Sequence, residues 1–304
     1  MILVTGAAGF IGMNLCNHLM ENLVDTVGFD ALKIESCPLW TTDLKVPLFQ
    51  GDLCNISAVQ QVFRQFPITG VVHLAAESHV DRSISDSSPF WKTNVIGTHN
   101  LMSVAMAHEV PLFINQITDE VYGEKPTGEA YEGDKFAPTS PYPCSKMAQY
   151  WVGQSFKTTY GFPVISTFPV NNFGPYQNKE KLVPKFLVRL AAGLSVPLMA
   201  SSHFERDWLA VEDMCSAFRI LLEKGKPGDY NIGADNHHSN LAITEKMVKL
   251  VGASMDQVET IPDRKAHDCR YAVNSDKIKT LGWKPRYSFD DYLKKTAAWY
   301  QERS

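Results

Sequence analysis

No apolar run in this chain reaches the ~18 residues that a membrane span needs. The N-terminus has no basic leader followed by an apolar stretch, so nothing there suggests secretion. Neither sign of charge dominates: 29 Lys and Arg stand against 33 Asp and Glu, and a net charge of −4 offers no footing for nucleic acid or an anionic lipid surface. Six cysteines (Cys16, Cys37, Cys54, Cys144, Cys215 and Cys269) are scattered without metal-ligand spacing, and they read as reduced thiols of a cytoplasmic protein with no metal site. Internal repeats and low-complexity tracts are also lacking. What remains is a globular chain of 304 residues, long enough for one large domain or two modest ones.

Strand and helix patterns alternate through the first half. MILVTG, TVGFD, VPLFQGD, GVVHLAA, VPLFINQ and FPVISTF are short apolar runs that read as strands. Between them lie the helical patterns of GFIGMNLCNHLMEN, ISAVQQVFRQF, SPFWKTNVIGTHNLMSVAMAH and SPYPCSKMAQYWVGQSFKTTY. Apolar runs of this length between helices indicate a parallel sheet covered on both faces, the doubly wound α/β (Rossmann) class. After about residue 172 Pro and Gly become common and short helices mix with single strands. The expected organisation is a dinucleotide-binding domain over 1–172 and a smaller, mainly substrate-binding domain over 173–304. The segment 206–225 is expected to return to the first domain.

TGAAGFIG places Gly6, Gly9 and Gly12 between the first strand and the first helix. Glycines there let the backbone turn tightly and approach a pyrophosphate, while the helix N-terminus offers free N–H groups. Asp30 ends the second strand. An acid at that point can accept hydrogen bonds from both adenosine ribose hydroxyls and repels a 2′-phosphate, which favours NAD over NADP. Asp52 ends the third strand, where it either reaches the adenine or serves a turn.

SPYPCSK opens a helix with Ser140 at the N-cap and Pro141 at the first helical position. Tyr142 and Lys146 then share one face. A free phenol has a pKa of about 10. An adjacent ammonium and a positive nicotinamide ring would lower it enough for Tyr142 to act as a base. QITDEVYGE follows a buried strand and sets Thr118, Asp119 and Glu120 where that strand stops. Two neighbouring carboxyls tend to hold one proton between them, which suits chemistry needing an acid and a base together. Successive residues of a strand point to opposite faces, so both acids can meet one ligand only if the backbone turns at Asp119. His73, inside GVVHLAA, reads as a satisfied core histidine.

GxxGxxG at 6–12, YxxxK at 142–146 and HLAAESHVDRS at 73–83 resemble the extended short-chain dehydrogenase/reductases. The blocks HLAAESHVDRSI, TNVIGT, TDEVYG, SPYxxSK, NNFGPYQNKEKLVP, RDWLAVED, YNIG and DRKAHDCRYAVN run in order over roughly residues 1–285. They resemble in particular the nucleotide-sugar 4,6-dehydratases that act on dTDP-glucose. The resemblance implies a lyase that removes water and regenerates its NAD in each cycle, on a nucleotide-diphosphate sugar, in a homodimer formed through the two long helices. It implies catalytic roles for Thr118, Asp119, Glu120, Tyr142 and Lys146, with Asp119 as acid and Glu120 as base. NAD would lie against Gly6, Gly9, Phe10, Ile11, Gly12, Asp30, Asp52, Leu53, Leu74, Ala75, Ala76, Ser78 and Thr93, with Tyr142 and Lys146. Ser78, Asn172, Lys181, Leu182, Arg206, Asn240, Arg264 and His267 would hold the nucleotide and sugar. Phe168, Pro143-Cys144 and Lys265-Ala266 depart from that family's usual residues, so base and sugar stay open. A 4-epimerase, a UDP-glucuronate decarboxylase and a non-catalytic dinucleotide sensor are the alternatives. Asp119 speaks against the first two and the Tyr142/Lys146 pair against the third.

Overall fold

The computed structural model describes residues 1–33, 40–265 and 268–303. Its strands are β1 (Ile2–Thr5), β2 (Thr26–Asp30), β3 (Leu48–Gln50), β4 (Gly70–His73), β5 (Phe113–Gln116), β6 (Val164–Pro169), β7 (Asn171–Phe173), β8 (Val196–Met199), β9 (Glu205–Ala210), β10 (Gly228–Ile232), β11 (His237–Ser239) and β12 (Val258–Ile261). The helices are α1 (Phe10–Glu21), α2 (Ile56–Gln65), α3 (Val80–Ser85), α4 (Ser88–Phe90), α5 (Thr98–Ala107), α6 (Pro141–Tyr160), α7 (Leu182–Ala191), α8 (Val211–Lys224), α9 (Asn240–Val251), α10 (Asp276–Lys279) and α11 (Phe289–Gln301).

Seven strands form a parallel sheet in the order β10-β6-β5-β4-β1-β2-β3. Within each strand neighbouring residues enter different cores. Leu3, Val71, Phe113 and Val164 pack on one face with Val59, Phe63 and Leu101. Val4, Val72, Ile114 and Ile165 pack on the other with Leu15, Leu19, Met214 and Phe218. Both faces are apolar because both are covered by helices, which is why the strands read as continuous apolar runs rather than as an alternation. The strand order reverses direction between β1 and β4, and a crevice opens there at the carboxyl ends of the strands.

Two smaller sheets complete the fold: β11-β9-β7, and the pair β12-β8. The division expected at residue 172 falls inside β7. Strand β10, assigned from the sequence to the C-terminal part, is an edge of the large sheet, parallel to β6. Of the segment 206–225, the helical half α8 packs on α1, whereas the strand half β9 belongs to the small sheet between β7 and β11. The helix expected over 88–108 is also not uniform. Its stretch Trp91–Gly97 is wound as a wider π-helix. There the Asn94 side chain turns inward, donating to the Glu77 carbonyl at 3.0 Å and to Ser145 Oγ at 2.9 Å. Thr98 Oγ1 donates to the Asn94 carbonyl at 2.6 Å, competing with the regular helical bond. No helix among the described residues is long and apolar enough to cross a membrane.

Candidate functional site

A cleft of about 630 Å³ runs along the carboxyl ends of β1, β2, β4, β5 and β6 and down to the small sheets. Every site residue expected from the sequence lines it except His267, which lies outside the described residues.

At one end the glycine loop leaves β1 and starts α1. Gly6 has φ +69, and a Cβ there would stand 2.8 Å from the Ala75 nitrogen. A Cβ on Gly12 would stand 2.0 Å from the Gly6 carbonyl oxygen, so the first turn of α1 closes on the loop with no room for a side chain. Asp30 follows at the end of β2. Its carboxylate accepts from the Ala8 N–H at 3.0 Å and from the Leu32 N–H at 2.8 Å, which fixes its direction. Burial raises its pKa against those bonds. Asp52 accepts from the Cys54 N–H at 2.8 Å and pairs with Lys33 at 3.4 Å, so it is a turn residue that also faces the cleft. Leu53, Leu74, Ala75, Ala76, Ser78 and Thr93 complete this wall. His73 sits just behind it, fully buried, between Thr5 Oγ1 at 2.7 Å and Thr98 Oγ1 at 2.8 Å. Burial holds its pKa down to about 3, so it is a neutral core histidine as the sequence suggested.

The strand β5 ends at Gln116, and a 3-10 turn runs over Asp119–Tyr122. Thr118 caps that turn, its side chain accepting from the Glu120 N–H at 3.4 Å. The turn meets the geometric demand stated above: Asp119 and Glu120 both line the cleft. Asp119 is 3% exposed, and Thr118 Oγ1 donates to it at 3.3 Å. Burial and then the adjacent Glu120 raise the Asp119 pKa well above the carboxylate range, against the pull of Arg206. Burial also raises Glu120, but three cations, Arg264, Arg206 and Lys181, oppose it. The pair is therefore asymmetric: positive charge gathers on the Glu120 side.

Tyr142 and Lys146 stand on the first turns of α6, both buried and both lining the cleft. Ser140 occupies the N-cap but its side chain makes no capping bond. The Tyr142 N–H donates instead to Ser83 Oγ on α3 at 3.2 Å. Lys146 Nζ donates to the Gln116 carbonyl and to Gln149 Oε1, each at 2.6 Å. Burial lowers the Lys146 pKa to about 7. In the protein alone, burial and Glu120 push the Tyr142 phenol up and a hydrogen bond with Thr118 opposes them. The lowering expected from the sequence needs the positive nicotinamide ring as well as Lys146.

The far end is cationic. Arg206, 5% exposed, donates to the carbonyls of Glu205 (2.7 Å), Cys269 (3.1 Å) and Asp268 (2.7 Å). Asp213 accepts from the Arg286 and Tyr287 N–H groups and pairs with Arg286 rather than with Arg206. Lys181 Nζ donates to the Ser78 carbonyl at 3.2 Å, and Arg264 lies 3.7 Å from Asp81. Asn172, Leu182 and Asn240 line the same end. Sequence reasoning missed Glu180, which pairs with Arg82 at 2.6 Å and with His79 at 3.8 Å across the mouth. It also missed Tyr271 and the apolar floor of Pro197, Leu198, Met199 and Ile261. Several buried polar atoms in the cleft, Gln116 Oε1, Asn172 Oδ1 and Arg264 Nε, have no partner among the described residues. Buried polar groups are rarely left without a protein or water partner.

A family model described as GDP-mannose 4,6 dehydratase matches residues 3–296. The low-salt glycan biosynthesis protein Agl12 of Haloferax volcanii is 39% identical, over 98% of each chain. Among solved structures, the dTDP-glucose 4,6-dehydratase DesIV of Streptomyces venezuelae, solved with NAD bound, superposes with a TM-score of 0.93 at 34% identity, covering 99% of this chain and 97% of the other. The UDP-glucose 4-epimerase of Thermus thermophilus, solved with NAD, superposes with a TM-score of 0.92 at 28% identity, covering 100% and 99%.

Proposed function

From the premise that this chain belongs to the GDP-mannose 4,6 dehydratase family of extended short-chain dehydrogenase/reductases, we propose that it is an NAD-dependent nucleotide-sugar 4,6-dehydratase acting on dTDP-glucose. The observation that carries this reading is the turn after β5, which aims two unequal carboxyls into the cleft that also receives Tyr142.

The glycine cradle, the fixed Asp30 and the N-terminus of α1 fit a dinucleotide, with Asp30 on the adenosine ribose and the α1 N–H groups on the pyrophosphate. NAD supplies, when bound, a reversible hydride acceptor for C4 and donor for C6. Tyr142 removes the proton of the C4 hydroxyl, with Thr118 bonded to the same oxygen and Lys146 holding α6 to β5. The resulting C4 carbonyl acidifies the C5 proton, which Glu120 takes. Asp119 gives its proton to the C6 hydroxyl as it departs as water. Reprotonation at C5 completes a 4-keto-6-deoxy sugar. Arg206, Arg264 and Lys181, with Asn172 and Asn240, hold the diphosphate and nucleoside; of these, Arg206 and Asn172 lie on the small sheet β11-β9-β7. Trp91 and Trp151, 42% and 58% exposed on the neighbouring long helices, are the contact of a homodimer, which sedimentation of the purified protein checks.

The epimerase likeness keeps a second reading in view, since an epimerase needs the C4 chemistry but neither carboxyl. Incubation with dTDP-glucose and with UDP-glucose, followed by alkali, separates the two. A dehydratase gives the near-ultraviolet absorbance of a 4-keto-6-deoxy sugar from at least one of them. An epimerase gives only an interconverted sugar, and that outcome would defeat the proposal.

A further inference from the structure

Behind Arg206 stand a phenol and a carboxylate with no part in the chemistry above. Tyr271 lines the cleft, is 5% exposed, and donates its hydroxyl hydrogen to the Asp268 carboxylate. Thr139 Oγ1 donates to the same carboxylate oxygen at 2.7 Å. The Arg206 guanidinium lies over the Tyr271 ring, 4.6 Å from its centre, while its N–H groups reach the Asp268 and Cys269 carbonyls. Residues 268–271 thus grip the guanidinium on one face and along one edge. The phenol cannot swing aside because its own hydroxyl is tied to Asp268.

The grip matters because of what it surrounds. The charged and titratable groups that act on Glu120 are Asp119 on its own turn, Arg206 on β9, Arg264 after β12, Lys181 before α7 and Asp268, with Tyr142 on α6 and the Tyr271 phenol also coupled to it. Arg206 favours the ionised form of Glu120 and Asp268 opposes it. We propose that Tyr271 and Asp268 are positioning residues for the dehydration: they fix Arg206 against the cleft and set how much negative charge Glu120 meets from behind. The proposal rests on the dehydratase reading for Glu120 as base, but its hold on Arg206 does not.

Two conservative variants should push catalysis in opposite directions. Tyr271→Phe keeps the ring under Arg206 but takes one donor from Asp268, so that carboxylate's charge weighs more on Glu120. The acidic limb of the kcat–pH profile should move up by about half a pH unit. Asp268→Asn removes the charge and should move that limb down by a similar amount. Thr139→Val, which removes the other donor, should act like Tyr271→Phe and covers the case in which the Asp268 variant does not fold. Both Tyr271→Phe and Asp268→Asn should bind thymidine diphosphate severalfold more weakly by calorimetry, as Arg206 loosens. Limbs of Tyr271→Phe and Asp268→Asn that coincide with the wild type or move together, or a Thr139→Val limb that does not follow that of Tyr271→Phe, would overturn the electrostatic half. Unchanged thymidine diphosphate affinity would overturn the positioning half. Absence of product from the wild type would fault the dehydratase reading alone, because the affinity measurement needs no turnover.

Discussion

Replacing Asp119 with Asn tests the division of labour between the two acids. The side chain is 3% exposed, and its hydrogen-bond partner is the Thr118 hydroxyl at 3.3 Å. An amide of the same shape keeps that contact, so at most one weak neutral bond, about 0.5–1.5 kcal/mol, is at risk. Against this, the substitution removes a carboxyl whose ionisation is opposed by burial and by Glu120. Because the folded-state pKa is raised, the wild type keeps its full stability only below the ordinary carboxylate range and loses some as pH rises. Asp119→Asn should therefore unfold at the same temperature as wild type near pH 4 and at a higher one at pH 8. Catalysis should move the other way. A general acid contributes about 10²- to 10⁴-fold, or roughly 3–5 kcal/mol of barrier, and an amide has no proton to give. In the proposed mechanism oxidation at C4 does not use Asp119, so a single turnover should leave reduced nicotinamide standing while the 4-keto-6-deoxy product fails to form. Rapid mixing with absorbance detection reads both. Turnover within twofold of wild type, or loss of the C4 oxidation in a folded variant, would refute the assignment of Asp119 as the acid.

Gly12→Ala should cost about 1–3 kcal/mol and release the dinucleotide, since its Cβ would meet backbone atoms of Gly6 that cannot step aside; calorimetric unfolding and the NAD content of the purified protein check it. Lys146 carries a folded-state pKa of about 7 against 10.5 in a free chain. The unfolded state thus binds the extra proton between those values, and stability of the dinucleotide-free protein should rise with pH from 7 to 9 by up to about 3 kcal/mol. Lys146→Met should flatten that rise in denaturant titrations at the two pH values. Glu180→Ala opens the pairs with Arg82 and His79 across the cleft mouth. Both pairs are partly exposed, so stability should fall by less than about 1 kcal/mol, while KM rises severalfold in steady-state assays.

The large sheet was legible because its strands are buried on both faces and each is short. Leu3-Val4, Val71-Val72 and Ile114 with Phe113 leave an apolar signal that needs no alignment. The glycine loop was legible for a steric reason that a single chain displays, since only glycine fits at 6 and 12. Strand β10 was not. GDYNI carries one Asp and one Asn, and both take partners from distant segments: Tyr150 donates to Asp229, and Tyr122 to Asn231. Those bonds let polar residues enter the edge of a buried sheet, and composition gives no warning of them. The wide turn at Trp91–Gly97 was hidden for a similar reason, because Asn94 reads as an ordinary helical residue until Glu77 and Ser145 are known to be its partners. Tyr271 and Glu180 escaped because their meaning comes from groups far away in sequence, Arg206 for one and Arg82 for the other.

In the proposed mechanism the placement of charge around the two carboxyls decides which one acts as base, and neighbouring positions in a chain cannot decide it. Asp119 and Glu120 are consecutive and share one turn, and burial raises both. What separates them is that Arg264, Arg206 and Lys181 are the strongest charges on Glu120, whereas on Asp119 the strongest are Glu120, Arg206 and the negative Asp207. The first proton lost from the pair should therefore come from Glu120, and its loss makes the second harder. If that is the mechanism, removing one of those cations should blunt the asymmetry without touching either acid. Arg264→Met should bring the two ionisations together, narrowing the pH range over which one carboxyl is charged and its neighbour is not. The kcat–pH profile would then become narrower and lower, while Asp119→Asn in the same background would lose less activity than it does in the wild type. Equal losses in the two backgrounds would mean that the cations hold the diphosphate and nothing more.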